Sequence, residues 1–194
     1  MSEELKNRYQ DSPITFYNRY PILWNRSLSI LGREDPKILI VGCSTGEECY
    51  TALAYFPKAT IVATEADEVT LRFARLRHSH DQITYMPSSE VQPDSAFDLV
   101  CCNSVLCEHP GNLLKESIEA MSFDRFNRMV AELAAKVALR GLLMLHNAEH
   151  RFIETEHASR FSPATFLIAQ SVAVFDREGK RTDDKAVSIW RRDR

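Results

Sequence analysis

Short, unbroken apolar runs alternate along this chain with longer stretches in which apolar residues recur every third or fourth position. The runs read as strands covered on both faces, and the periodic stretches as amphipathic helices. Ile38 to Val41 opens the series as a first strand. A helix beginning near Glu47 then sets Cys49, Ala52, Leu53 and Phe56 on one stripe, and Pro57 ends it. Thr60 to Thr64 reads as the second strand and Ile83 to Met86 as the third, with a helix from about Glu68 to His78 between them that buries Val69, Phe73 and Leu76. Phe97 to Cys102 forms a central fourth strand. A helix from about Phe123 to Leu139 presents Phe126, Met129, Val130, Leu133 and Val137 to the sheet, and Arg140-Gly141 stops it. Leu142 to Leu145 follows as the fifth strand, and Ser171 to Phe175 and Lys185 to Trp190 close the chain around a polar turn at Glu178-Gly179. Alternation of this kind predicts an α/β, doubly wound seven-stranded sheet. The last connection is too short for a parallel crossover, so the sheet is expected to be mainly parallel with one antiparallel strand near the C-terminus.

Composition narrows the class. At 194 residues and 44% hydrophobic content the chain can bury a full core, which suggests one compact domain over 36–194. Residues 1–35 read as a helical, aromatic cap segment carrying Tyr9, Phe16, Tyr17, Tyr20 and Trp24. A net charge of −3 supplies no polyanion footprint, so nucleic acid is not an expected partner. No apolar run has transmembrane length and no signal segment opens the chain, which points to a cytoplasmic protein without membrane contact. Five cysteines without a C-x-x-C spacing agree, reading as buried free thiols.

The chemistry concentrates where the first strand ends. Gly42-Cys43-Ser44-Thr45-Gly46 is a tight turn that feeds the N–H groups of the following helix back toward itself. As Gly42-x-Ser44-x-Gly46 it matches the nucleophile elbow of serine hydrolases, although only one strand precedes Ser44. A dinucleotide G-x-G-x-x-G is absent. The turn also resembles the looser glycine loop of S-adenosylmethionine-dependent methyltransferases. That reading requires an acidic residue at the end of the second strand to hold ribose hydroxyls, and Glu65 stands there.

Element order, glycine turn, Glu65 and the Phe97-Asp98-Leu99-Val100 strand together resemble the Rossmann-like class I methyltransferase superfamily. Within it, Ser44-Thr45-Gly46-Glu47-Glu48 followed by Tyr50 is similar to a signature of the chemotaxis receptor methyltransferase family. Ile14 to Arg19 and Gly141 to Glu149 resemble two further elements of that family. Cys49 stands where the family has proline, Cys102-Asn103-Ser104-Val105 departs from its C-R-N-V, and Asn147 replaces its histidine. The resemblance implies S-adenosylmethionine as cofactor and methyl transfer to an acceptor that the sequence does not name, either a small molecule or a protein.

In a sheet of this type ligands sit outside the carboxyl ends of the strands. The candidate cofactor contacts are therefore Gly42, Cys43, Ser44, Thr45, Gly46, Glu47, Glu65, Ala66, Ser88, Ser89, Asn103 and Ser104, with Arg19 on a lid from the N-terminal segment. His146, Glu149 and His150 are candidates for acceptor contact or general-base duty. His146 to His150 also spells H-x-x-E-H, a zinc pattern, but that motif needs a helix and this one follows a strand, so no metal is expected. His78 and His80 read as partners of a helix C-terminal dipole. Two other functions remain open on sequence: a cofactor-binding module without catalysis, and a serine hydrolase using Ser44.

Overall fold

The computed structural model describes residues 14–92, 94–107 and 121–194. Its helices are α1 (Pro21–Leu31), α2 (Glu47–Tyr55), α3 (Glu68–Arg77) and α4 (Phe123–Lys136). Strands β1 (Lys37–Val41), β2 (Thr60–Glu65), β3 (Ile83–Pro87), β4 (Phe97–Asn103) and β5 (Val137–His146) lie parallel. The chain then adds β6 (Phe161–Pro163), β7 (Leu167–Ala169), β8 (Lys185–Val187) and β9 (Ile189–Arg192). Seven strands make one sheet in the order β3-β2-β1-β4-β5-β9-β6, and β7 pairs with β8 in a separate antiparallel ribbon. Only β9 runs against its neighbours, paired antiparallel to both β5 and β6. This is the expected α/β architecture with one reversed strand. Strand order changes direction between β1 and β4, which leaves a crevice beyond their C-terminal ends.

The two faces of the sheet follow from strand alternation. Leu39, Val41, Val100, Leu143 and Leu145 face α4, where Phe126, Met129, Val130 and Leu133 form the buried stripe. Ile38, Ile40, Leu99, Cys101 and Met144 face the other way, onto Trp24 of α1, Cys49 and Ala52 of α2, and Leu71 and Ala74 of α3. Side-chain caps start two of these helices: Asp67 accepts from Thr70 N, and Ser122 from Arg125 N. The five cysteines are buried and free. Among the described residues no helix is long and apolar enough to cross a membrane.

Four expectations needed correction. Val69, Phe73 and Leu76 are exposed on α3, and Leu71 and Ala74 pack instead. The helix carries two apolar stripes, and the sheet takes the smaller one. Helix α4 ends at Lys136 rather than Leu139, and Val137 to Arg140 already belong to β5. Gly141 therefore does not stop a helix; it sits inside β5 beside an irregularity in the pairing with β4. Ser171 to Phe175 is not a sheet strand. Val172 to Phe175 are buried and joined by isolated bridges at Phe175, and the partner of β9 across from β5 is β6. The expected last strand, Lys185 to Trp190, is divided between β8 and β9. Tyr9 lies outside the described residues.

The irregularity in β5 explains its glycine. A Cβ on Gly141 would lie 2.9 Å from the carbonyl oxygen of Ala138 and 3.0 Å from those of Phe97 and Asp98. Backbone oxygens in a paired sheet cannot swing aside as a long side chain can. Gly141→Ala should therefore lower the unfolding free energy by about 1–3 kcal/mol in urea titration. An unchanged midpoint would mean that the β4–β5 bulge opens freely.

Candidate active site

The glycine turn is held from below by β2. Gly42 N and Cys43 N both donate to Thr64 O, at 2.8 and 2.9 Å, and Gly46 N closes the turn on Cys43 O at 3.0 Å. Gly42, Ser44 and Gly46 all adopt positive φ. At Gly42 space matters as well, because a Cβ there would press into the Val105 side chain. Val105 follows β4, so the turn after β1 and the loop after β4 meet across the crevice.

Glu65 ties the ends of β1 and β2 together. Its Oε2 accepts from Ser44 N at 2.9 Å, while Oε1 accepts from Ala66 N at 2.8 Å and Asp67 N at 3.3 Å. A carboxylate offers about four acceptor positions, and donors among the described residues fill three of them on a group already fixed in place. Beside it Thr45 Oγ1 donates to Glu47 at 2.6 Å, and the Glu47 side chain is buried.

A second cluster lies at the ends of β4 and β5. Asn103 Nδ2 donates to Glu48 Oε1 at 2.6 Å, and both side chains are buried. Asn103 Oδ1 is also buried and meets no hydrogen-bond donor among the described residues. Burial pushes the Glu48 carboxyl up to about 7, against the opposing pull of the Asn103 hydrogen bond and the Arg19 charge. Next to this pair Tyr20 Oη meets Ser104 Oγ at 2.6 Å, and Asn147 Nδ2 donates to both, at 2.9 and 3.0 Å. Arg19 Nη2 donates to Ser104 at 3.2 Å, and its guanidinium lies 4.8 Å from the Tyr20 ring centroid. Asn147 completes the knot by donating its backbone N–H to Gln170 and accepting from Ser171 N. The N-terminal segment, β4, β5 and the end of β7 thus converge on a few polar atoms. Tyr20, Ser104 and Asn147 all hold left-handed backbone, an arrangement that costs roughly 1–3 kcal/mol per residue and that the knot maintains.

Of the expected cofactor contacts, the structure gathers Gly42 to Glu47, Glu65, Ala66, Asn103, Ser104 and Arg19 at the strand ends. Ser88 is buried and Ser89 exposed in a single 3-10 turn after β3, at the far edge of the sheet. His146 ends β5 opposite Asn103, edge-on to Tyr20 at 4.7 Å, with Nδ1 2.9 Å from Ser188 Oγ. Burial first, then the Arg19 charge, lowers it to about 4, so the ring is neutral at physiological pH and a weak base. His150 does not face the crevice. Its ring nitrogens lie 3.1 Å from Phe175 O and 3.0 Å from Met121 O, and the ring packs on Phe123 and Phe126. Glu149 is buried beside it, with its backbone N–H on Leu106 O.

Several residues of this site were not among the expected contacts. Glu48 had a signal in the pentapeptide, and Tyr20 and Asn147 lay beside residues already singled out. His78 had none. It stands at the C-cap of α3, where a dipole partner was expected, and its buried ring also reaches the turn: Nδ1 donates to Thr45 O at 2.6 Å and Nε2 accepts from Tyr17 Oη, 2.5 Å away. Both nitrogens are thereby committed, so His78, the histidine that reaches this turn among the described residues, is not placed to activate Ser44. Among the described residues there is no cluster able to hold a metal ion.

A sequence model of a methyltransferase domain matches residues 39–145. No curated protein matches the sequence. The fold is similar to that of SAM-bound CalS10, an amino pentose methyltransferase from Micromonospora echinaspora, at 21% identity and a TM-score of 0.48 over 69% of this chain and 51% of that one. It is also similar to an S-adenosylmethionine-dependent methyltransferase from Mesorhizobium loti, at 19% and 0.48 over 68% and 53%, and to an O-methyltransferase family protein from Burkholderia thailandensis, at 15% and 0.48 over 72% and 41%. The chain spans about half the length of these structures. With most of β1, all of β2 to β4 and the glycine turn inside the matched residues, the chain belongs to the methyltransferase domain family.

Proposed function

We propose that the crevice binds S-adenosylmethionine and that the protein transfers a methyl group to an acceptor needing no dedicated general base, a carboxylate before a hydroxyl. The observation that carries this reading is the buried Asn103 Oδ1, without a donor among the described residues and beside the Glu48 carboxylate at the strand-order switch. A buried acceptor of this kind costs stability unless a ligand donor meets it. The methionine end of the cofactor carries an ammonium group, which suits Asn103 Oδ1 and an ionised Glu48. Beyond its three donors among the described residues Glu65 can accept from a ribose hydroxyl, and the Gly42–Gly46 turn admits close backbone approach.

When bound, the cofactor supplies a methyl group that is already electrophilic, so the protein's task is alignment and exclusion of water. Arg19, Tyr20, Ser104 and Asn147 suit that task, since their mutual hydrogen bonds leave little rotamer freedom at the mouth of the crevice. Burial raises the Tyr20 phenol, which keeps it protonated, and His146 is too weakly basic to take a proton from a hydroxyl at neutral pH. A carboxylate acceptor has no proton to lose. A closer kinship with the chemotaxis receptor methyltransferases rests on the Ser44–Glu48 pentapeptide and its flanking elements, and the acceptor on the chemistry above.

Glu48 sets a pH dependence. Its carboxyl rises from 4.5 in the reference state to about 7 in the fold, so the native state holds the extra proton between those values. Stability from this group is full below about pH 4.5 and falls as pH climbs to 7, by a few kcal/mol in all. Glu48→Gln should therefore raise the melting temperature of the free protein by several degrees at pH 8. Ligand binding carries the opposite sign, because an ammonium favours the ionised carboxylate. S-adenosylhomocysteine should bind about tenfold more weakly at pH 5.5 than at pH 8 in calorimetry, and Glu48→Gln should flatten that profile. A wild-type affinity independent of pH would remove Glu48 from the site.

Methyl transfer itself is testable with S-adenosylmethionine labelled on the methyl group. Label should enter carboxylate-bearing acceptors as base-labile esters. Binding without any transfer from a broad acceptor pool would favour a non-catalytic module.

A further inference from the structure

Away from the crevice, a cavity of about 410 Å³ opens between the β7–β8 ribbon and the segment that follows β5. Phe152, Leu167, Val187 and Trp190 supply its apolar wall, and Arg151 and Lys185 bring two cations to its lining against one acid, Asp183. Nothing in the methyl-transfer reading uses these residues.

The ribbon explains why the cavity is separate. Leu167 pairs with Val187 and lines it. Their neighbours Ile168 and Ser188 turn the other way, Ile168 onto the opposite core cluster and Ser188 toward His146. The ribbon is thus a partition with the crevice on one side and the cavity on the other. Leu167 is 64% exposed and Ile153, which also lines the cavity, is 57% exposed, so the opening is itself apolar.

The charges select the ligand. Arg151 Nη2 donates to Asp183 O at 2.7 Å, which fixes the guanidinium, while its buried Nε has no acceptor among the described residues. Lys185 is exposed. An apolar chamber with a fixed guanidinium and an exposed ammonium favours a ligand with an apolar body and an anionic head. At about 30 Å³ per water-sized group the cavity has room for roughly a dozen non-hydrogen atoms.

We propose that this cavity is a binding site for a small amphipathic carboxylate, a medium-chain acyl or aryl acid, with Arg151 and Lys185 receiving the carboxylate and Phe152, Leu167, Val187 and Trp190 the hydrocarbon.

Trp190 lies in the wall and Trp24, the other tryptophan, in the opposite core cluster, so tryptophan emission reports occupancy. Titration of the full chain with sodium octanoate should give a saturable emission change, with a matching heat in calorimetry. Octanol, which keeps the chain and lacks the charge, should bind about tenfold more weakly, and so should octanoate to Lys185→Glu or Leu167→Asp. Both variants change exposed side chains and should bind S-adenosylhomocysteine as the wild type does, which separates this site from the crevice. No response to millimolar octanoate, or equal binding of octanol and octanoate, overturns the proposal. Light scattering that shows a dimer dissociated by Leu167→Asp would overturn it in favour of a second copy on this face.

Discussion

Everything at the carboxyl end of this sheet depends on one carboxylate. Glu65 gathers backbone N–H groups from Ser44, Ala66 and Asp67, and so fixes the end of β1 to the end of β2 and to the start of α3. Hydrogen bonds from N–H groups to an ionised acceptor are roughly twice as strong as neutral ones, and this one holds a residue in left-handed backbone. Ser44 has a φ of 49° and no glycine's freedom. With that turn set, Val105 can rest on Gly42, and the loop after β4 is brought over the crevice. The same device recurs across the switch point, where side-chain hydrogen bonds hold Tyr20, Ser104 and Asn147 in the same unfavourable region. Strain at several strand ends in one layer is what a preformed ligand site requires.

Burial acts on the charges of this layer in one direction, toward neutrality. Glu48 is pushed up, His146 down and the Tyr20 phenol up, each chiefly by desolvation. A crevice of this kind is poorly equipped for proton abstraction and well equipped for orientation. Arg19 brings a guanidinium to the mouth of the crevice, near the rings of Phe16 and Tyr20 and within reach of Ser104. Arg19 and Tyr20 are therefore part of the wall of the candidate site.

Much of this was legible in the sequence, for reasons that differ by element. The first strand, its turn and α2 were readable because apolar run, glycine spacing and helical stripe all agreed. The stripe of α4 was equally clear, but its end was not, since Val137 continues the helical period and also begins β5. On α3 periodicity chose the wrong face, because Val69, Phe73 and Leu76 outweigh Leu71 and Ala74 in apolar bulk, yet it is the smaller pair that is buried. The region after β5 was least readable: Ser171 to Phe175 has the composition of a strand, yet Val172 to Phe175 are buried and joined by isolated bridges and not by a ladder. In the site, residues at strand ends could be found by topology. His78 and Gln170 could not, because what matters about them is a contact across the fold that no local pattern encodes.

The central claim is that the glycine turn, Glu65 and the Asn103–Glu48 pair form one ligand crevice. The most direct measurement is an amide chemical-shift titration of the protein with S-adenosylhomocysteine. The account predicts saturable shifts at Gly42 to Glu48, Glu65 to Asp67 and Asn103 to Val105, with the β7–β8 ribbon strands and α4 little changed. Absence of shifts at millimolar ligand, or shifts confined to residues away from the ends of β1, β2 and β4, would contradict it.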